Sequence, residues 1–312
     1  MSARVPKAAV AMTHVPDYAP ARIDAAVARL LETSGLRPAP GTRVLVKPNL
    51  VAARNARHCT THPEVVRAAC AYLLDCGARV TVADSPAFGP ASQVARASGL
   101  AEALAGMGLK VAGLGRPVPL ALSCGGTIGL SRHALEAEAI LNLPKLKVHC
   151  QMVMSGAVKN LFGCVVGFRK ACAHHTLGGD REVFASMLLD VYAALPRTHH
   201  LTDGVLALHR DGPTGGEPFR LGLLAASANG VALDTAAYAV LGLAPGQVPL
   251  WLEAIARNMA GADPCGLDYP LDAPDRFDPA GFALSPARAL KFAPLRLLRG
   301  RVRSLLKHFT NS

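Results

Sequence analysis

Several signatures are missing from these 312 residues: no CxxC pair, no HExxH, no G-x-S-x-G, no G-x-x-x-x-G-K-[ST], and no G-x-G-x-x-G after a strand-like segment. Their absence removes zinc ribbons, thioredoxin-type redox pairs, zincins, serine hydrolases of the nucleophile-elbow type, P-loop NTPases and a standard nicotinamide fold. Aromatic residues make up only 5% of the chain, and neither base-stacking RNP motifs nor a helix-turn-helix is visible, so nucleic acid is not the expected partner. No apolar run reaches the roughly 18 residues of a membrane span. The first residues, MSARVPKAAVAM, lack a signal-peptide core and cleavage site and run straight into a strand-like segment. The expected location is therefore the cytoplasm, where the eight cysteines are free thiols.

What is present is a core-rich chain. An apolar content of 51% excludes a disordered protein, and the length suits one large α/β domain or two intimate lobes. The net charge of +11 is uneven: from Ser285 to Ser312 there are seven Lys or Arg and no acid. We divide the chain into an α/β domain over 1–284, with a lobe boundary near 200, and a basic helical tail over 285–312. The tail places Leu297, Leu298, Val302, Leu305 and Leu306 among basic residues, which suits a helix docked on the core or one lying on a membrane surface.

Strands are expected at 7–12, 43–46, 79–83, 110–114, 138–143, 202–206 and 221–226. Helices are expected at 21–31, 92–107, 183–195 and 233–241, by apolar periodicity. Thr61-His62-Pro63-Glu64 has the Thr-x-x-Glu form of a capping box and opens another helix that Gly77 stops. The strand–helix rhythm predicts parallel or mixed sheets covered by helices. In such sheets ligands bind at loops after the carboxyl ends of strands, the position of Lys47-Pro48-Asn49 and of Asp84-Ser85. Either loop binds a carboxylate or phosphate, or is simply capped by these side chains.

Reactive side chains concentrate between Leu143 and His175. His149, Cys150, Lys159, Asn160, Cys164, Lys170, Cys172, His174 and His175 fall there, with Gly156, Gly163 and Gly167 between them. Such glycines mark turns or close backbone approach to something bound, so together with Asn160, Asp84, Ser85, Gly212 and Gly215 they are the candidates to hold a cofactor. A lysine among small apolar residues is costly to bury unless neutralised, paired or used chemically. Lys159 is thus a catalytic candidate, with an ion pair or a phosphate grip as the plain alternative. His174 and His175 offer one metal ligand and one supporting group, or are surface histidines. Cys150, Cys164 and Cys172 are candidate iron–sulfur ligands at a spacing that matches no standard cluster motif, or buried thiols. The loop from Asp211 to Pro218, with Gly212 and Gly215, has the look of a phosphate cradle or lid.

VLVKPNLV (44–51), THPEVVRAA (61–69), VTVADSP (80–86), LPKLKVH (143–149), SGAVKNLFG (155–163), DGPTGGEP (211–218) and GVALDTAAYAVLG (230–242) together resemble the DUF362 family. Many of its members carry an appended ferredoxin-like cysteine motif, which this chain lacks; a separate redox partner is compatible with that. A more distant resemblance is to the lactate racemase (LarA-like) family. His149 stands ten residues before Lys159 and His175 sixteen after it, similar to the racemase arrangement. That resemblance implies a LarA-like core and a nickel-pincer nucleotide tethered by Lys159. It further implies nickel held by His175, proton transfer at His149, and Lys47 on the carboxylate of a small anionic substrate. No histidine lies near Asp84-Ser85-Pro86, where the racemases have their second. The implied function is a metal- or nucleotide-cofactor-dependent enzyme acting on a small anionic substrate by proton or hydride transfer; the alternatives are an iron–sulfur redox protein using Cys150, Cys164 and Cys172, and a non-enzymatic membrane-surface or nucleic-acid-associated factor acting through the basic tail.

Overall fold

The computed structural model describes residues 7–166 and 180–285. Its strands in chain order are β1 (Ala8–Ala9), β2 (Ala11–His14), β3 (Arg43–Pro48), β4 (Arg79–Asp84), β5 (Val111–Gly113), β6 (Pro117–Ala121), β7 (Thr127–Ser131), β8 (Ala139–Leu143), β9 (Lys145–His149), β10 (Val153–Ser155), β11 (Thr198–His209), β12 (Glu217–Ser227) and β13 (Leu267–Asp268). Nine of them form one mixed sheet; β1 pairs with β13, and β6 with β7.

The sheet forks. β8 and β9 are almost one strand, separated by Pro144, whose missing N–H interrupts the ladder. Both run parallel to the long strand β11. On their other edge they part company: β8 pairs with β3 in parallel, whereas β9 pairs with β10 in antiparallel. β3 ends where Pro48 meets Leu143, and β4 and β5 continue the parallel side. β12 and then β2 extend the opposite edge as antiparallel strands. Position 200 falls inside β11.

Alternation along the strands divides the core. Val44, Val46 and Val82 face helices Pro20–Thr33, Pro63–Asp75, Ala91–Ser98 and Leu100–Ala105, burying Ile23, Val27, Leu30, Val66 and Leu104. Leu45 and Ile140 face Phe184, Leu188 and Val191 of helix Arg181–Ala194. Met12, Leu146, Val148 and Leu223 pack with Leu233, Ala236 and Tyr238 of helix Gly230–Val240. With helices on both faces, the parallel strands read as continuous apolar runs.

Three elements differ from the sequence expectation for identifiable reasons. The predicted helix over 92–107 is two helices, because Gly99 adopts φ 84° and ends the first in a left-handed cap. The residue capping helix Pro63–Asp75 is His62, whose Nδ1 accepts from Glu64 N, and not Thr61. Thr61 is engaged elsewhere: its hydroxyl donates to Leu143 O (2.6 Å) and accepts from Asn49 N (2.8 Å). The Asp211–Pro218 loop is shorter than expected, since β12 begins at Glu217 and pairs back onto β11 as far as His209.

Candidate functional site at the sheet fork

β9 carries Lys145, Lys147 and His149 on one face, because side chains alternate along a strand. All three are at most 3% exposed. Their apolar neighbours Leu146 and Val148 fill the core behind them. The fork opens this face toward the end of β3, and three elements converge there: the loop after β3, the loop after β4, and the turn Ala157–Cys164.

Two of the buried lysines have their own carboxylates. Lys47 Nζ lies 2.7 Å from Asp84 Oδ1, and Asp84 Oδ2 accepts from Leu50 N at 2.8 Å, so Asp84 fixes both the lysine and the loop beyond it. Lys145 Nζ lies 2.8 Å from Asp203 Oδ2 and 3.0 Å from Tyr18 Oη. Tyr18 donates to Asp203 Oδ1 (2.7 Å) and stacks on His62 at 3.5 Å between ring centroids. Burial and the Asp203 charge raise the Tyr18 phenol, keeping it a donor.

Lys147 is different. Its amine donates to Asn49 Oδ1 and to Cys59 O (2.7 Å), both uncharged acceptors. No carboxylate pairs with it among the described residues, and none of the remaining residues is an acid. Burial pushes the Lys147 ammonium down to about 7, with the Lys159 and Lys145 charges adding to that shift and Cys59 and the more distant Asp84 charge opposing it.

A line of side-chain amides leads inward from this amine. Asn49 Nδ2 donates to Asn160 Oδ1 (2.6 Å), and Asn160 Nδ2 donates to Asn142 Oδ1 (2.7 Å). Asn142 Nδ2 lies 2.8 Å from Ala157 O and 2.9 Å from His200 Nδ1. Each amide donates in the same sense, which makes His200 Nδ1 an acceptor and places its proton on Nε2. Burial drives the His200 imidazole down to about 3, so it is neutral at physiological pH.

The glycines proposed to hold a cofactor have their space taken by the protein itself. A Cβ on Gly163 would collide with Lys47 Nζ and Asp84 Oδ1, and one on Gly156 with the Asp234 carboxylate. One on Gly212 would strike Val148 O, and one on Gly215 would meet Asp211 Oδ2 at 2.9 Å. Close approach of backbone to these groups is what requires glycine. Asp234 accepts from Ala157 N and Val158 N, and so anchors the start of the turn that carries Lys159 and Asn160. Burial pushes its carboxyl up to about 7, against the pull of those two amides.

The other predicted residues sit as follows. His149 Nδ1 accepts from Gln151 N (3.1 Å) and Met152 N (3.2 Å), leaving Nε2 as the protonated nitrogen. Lys159, Ser85 and Asn49 are half-buried. Cys150 and Cys164 are buried, and burial raises the Cys150 thiol while nearby Lys159 opposes it. His174, His175, Cys172, Gly167 and the basic tail beyond Ser285 lie outside the described residues. Among the described residues no three His, Cys, Asp or Glu side chains come together as a metal site, and no helix is long and apolar enough to cross a membrane. A cavity of about 290 Å³ opens against Leu45, Thr81, Ala83 and Gly113 beside His133, away from these residues.

The sequence reading passed over Lys145, Lys147, Asn142 and Asp203. The signal for the first two was present: K-x-K-x-H inside an otherwise apolar strand puts three polar side chains on one buried face.

The fold and this face define an α/β protein with a mixed, helix-covered sheet and a cluster of buried lysines at its fork. The chain belongs to the DUF362 family, described as a domain of unknown function, whose model matches residues 44–239. It is 36% identical over 275 residues to the "Thylakoid-associated protein sll1697" of Synechocystis sp., covering 86% of this chain and 84% of that one. Among solved structures, the lactate racemase apoprotein from Thermoanaerobacterium thermosaccharolyticum overlays with a TM-score of 0.48 and 13% identity, over 74% of this chain and 57% of that one. A Thermotoga maritima protein overlays at 0.42 with 14% identity, over 66% and 55%.

Proposed function

We propose that this protein is an enzyme that binds a small anionic substrate at the fork and moves a proton at it. The observation that carries the reading is the gathering of Lys47, Lys147, His149 and Lys159 where parallel strands end, in a face otherwise closed by core. A buried amine whose ammonium is held near 7 is suited to exchanging protons around neutral pH. Lys47 and Asp84 shape the floor, Asn49 and Asn160 orient Lys147, and His149 presents its Nε2 proton.

The spacing of His149, Lys159 and His175 supports a cofactor of the nickel-pincer kind, with Lys159 as tether and His175 as metal ligand. Such a group would supply a hydride acceptor. The described residues do not by themselves assemble its ligand set, so no step is derived through it. Elemental analysis of protein purified anaerobically from its native host tests this part. Nickel near one per chain, lost in Lys159→Ala, supports the tether. Iron with sulfide would move the assignment to Cys150, Cys164 and Cys172, and metal-free active protein would overturn the cofactor.

A second reading has its own support. The Synechocystis relative is named for its association with thylakoids, and residues 285–312 are strongly basic. Attraction of such a tail to an anionic membrane surface is expected to be salt-sensitive. Loss of vesicle co-sedimentation on deleting 285–312 supports it; unchanged sedimentation counts against it.

A further inference from the structure

We propose that Asp234 is a proton-sensitive positioning residue for Lys159: as a carboxylate it holds the turn Ala157–Asn160 by two backbone amides, and as a carboxylic acid it holds only one. The proposal rests on the reading above, in which Lys159 serves the site, and adds the group that sets where Lys159 stands.

Geometry carries the argument. Asp234 lies one turn into helix Gly230–Val240 and is 4% exposed. Its Oδ1 accepts from Ala157 N at 2.5 Å and its Oδ2 from Val158 N at 3.0 Å. Those are the leading amides of the turn, for which Gly156 before it provides no side-chain cap. Glycine at 156 instead lets the backbone close over the carboxyl, since a Cβ there would collide with Oδ1.

No cation answers this carboxyl. Burial and the two amides are what set its ionisation, and they leave it near 7. The titratable groups facing it are Tyr238 on its own helix and Tyr192 on helix Arg181–Ala194, phenols whose protons the Asp234 charge helps to retain. His200 of β11 lies against Gly230 at the head of the helix and is neutral. Helix Pro249–Ala256 brings only Leu250, Trp251 and Ala254 to this place.

What a proton does there follows from counting donors. A carboxylate accepts on both oxygens, whereas a carboxylic acid turns one of them into an O–H donor. That O–H set against a backbone N–H is donor against donor, so one of the two amides loses its partner. Thr235 Oγ1 and Tyr238 Oη line the same cavity as Asp234 and have no hydrogen-bond partner, so they are the acceptors on offer for the displaced O–H.

The turn passes the change on. Ala157 O accepts from Asn142 Nδ2, and Asn160 joins Asn142 to Asn49, onto which Lys147 donates. Lys159 stands in the chain between the amides that Asp234 holds and Asn160. Both the lysine and the line of amides therefore take their position from one carboxyl.

The test compares the full-length wild type with Asp234→Asn, which like the acid offers one acceptor and one donor. Two quantities are followed from about pH 5.5 to about pH 8.5, on either side of the Asp234 midpoint: the amide proton signals of Ala157 and Val158 by NMR, and the rate at which acetic anhydride acylates Lys159, by peptide mass spectrometry. The two amide signals should titrate with one shared midpoint near 7 in wild type and stay fixed in the variant. Lys159 should react equally in the two proteins at the acid end and severalfold more slowly in wild type at the alkaline end. A rate ratio constant across the range would mean that Asp234 only supports the fold, and overturns the positioning role. Wild-type amide signals that do not titrate overturn the proposal outright. Should Asp234→Asn fail to fold, the side-chain amide signal of Asn160 in wild type decides. It should follow the midpoint of Ala157 and Val158, and a fixed signal while those two titrate contradicts the proposal. None of these readouts needs a cofactor, so metal-free active protein would remove the cofactor reading and leave this one standing, and fixed amides would do the reverse.

Discussion

Lys47 and Lys145 on one side, and Lys147 on the other, face the same problem of charge in a core and meet it differently. The first two are buried with a carboxylate each, and their partners are further tied by Leu50 N, Tyr18 and His62 N. Such pairs hold geometry more than they add stability, because desolvation offsets much of the attraction. Lys147 has two uncharged oxygens and no acid. A side chain whose charge the fold leaves unmatched is poised for a ligand or a proton, whereas a matched one belongs to the scaffold.

Breaking a matched pair should give the largest effect. Asp84→Ala leaves Lys47 buried with no countercharge and is expected to cost about 3–5 kcal/mol in urea unfolding; a loss below about 1 kcal/mol would show the pair to be dispensable.

Next comes the pH dependence of stability. The folded Lys147 ammonium lies near 7, below the 10.5 of an ordinary lysine. Between those values the unfolded chain binds more protons, so stability should rise with pH across roughly 7 to 10, by an amount on the order of a few kcal/mol. Burial raises the Cys59, Cys70 and Cys150 thiols, which opposes that slope at the alkaline end, so the Lys147 share is read from the difference curve between wild type and Lys147→Met; parallel curves would argue against a depressed amine.

Gly163→Ala should destabilise by about 1–3 kcal/mol, since its methyl group would press on the Lys47–Asp84 pair. Thermal unfolding checks it. A smaller change is expected for Lys147→Met near neutral pH, within about 1.5 kcal/mol, because an apolar chain of similar length replaces an amine that lacks an ionic partner. If it cost as much as Asp84→Ala, the contrast between the lysines would collapse.

Much of the parallel half was legible in sequence. The apolar runs of β3, β4 and β8, the helices between them, and the loops at Lys47 and Asp84 follow from period and punctuation. The fork was not, because it depends on Pro144 separating two strands that share one partner, a fact about pairing rather than about local pattern. Thr61 shows the same limit: its motif fits a cap, yet its hydroxyl joins two distant loops. The importance of Lys159 was inferred from its crowded surroundings. That of Lys147 could emerge only when each neighbouring lysine was seen with its acid. The glycines were recognised as sites of close approach, but what approaches them turned out to be Asp234, Lys47 with Asp84, and Val148 O.

The most direct measurement of the central claim is a pH titration of ¹³C-labelled lysines by NMR in the full-length protein. One ε-carbon signal should titrate near pH 7 and be missing from the Lys147→Met spectrum. A wild-type spectrum in which no lysine titrates below about pH 9 would contradict the account, since Lys147 would then be held charged like any paired lysine.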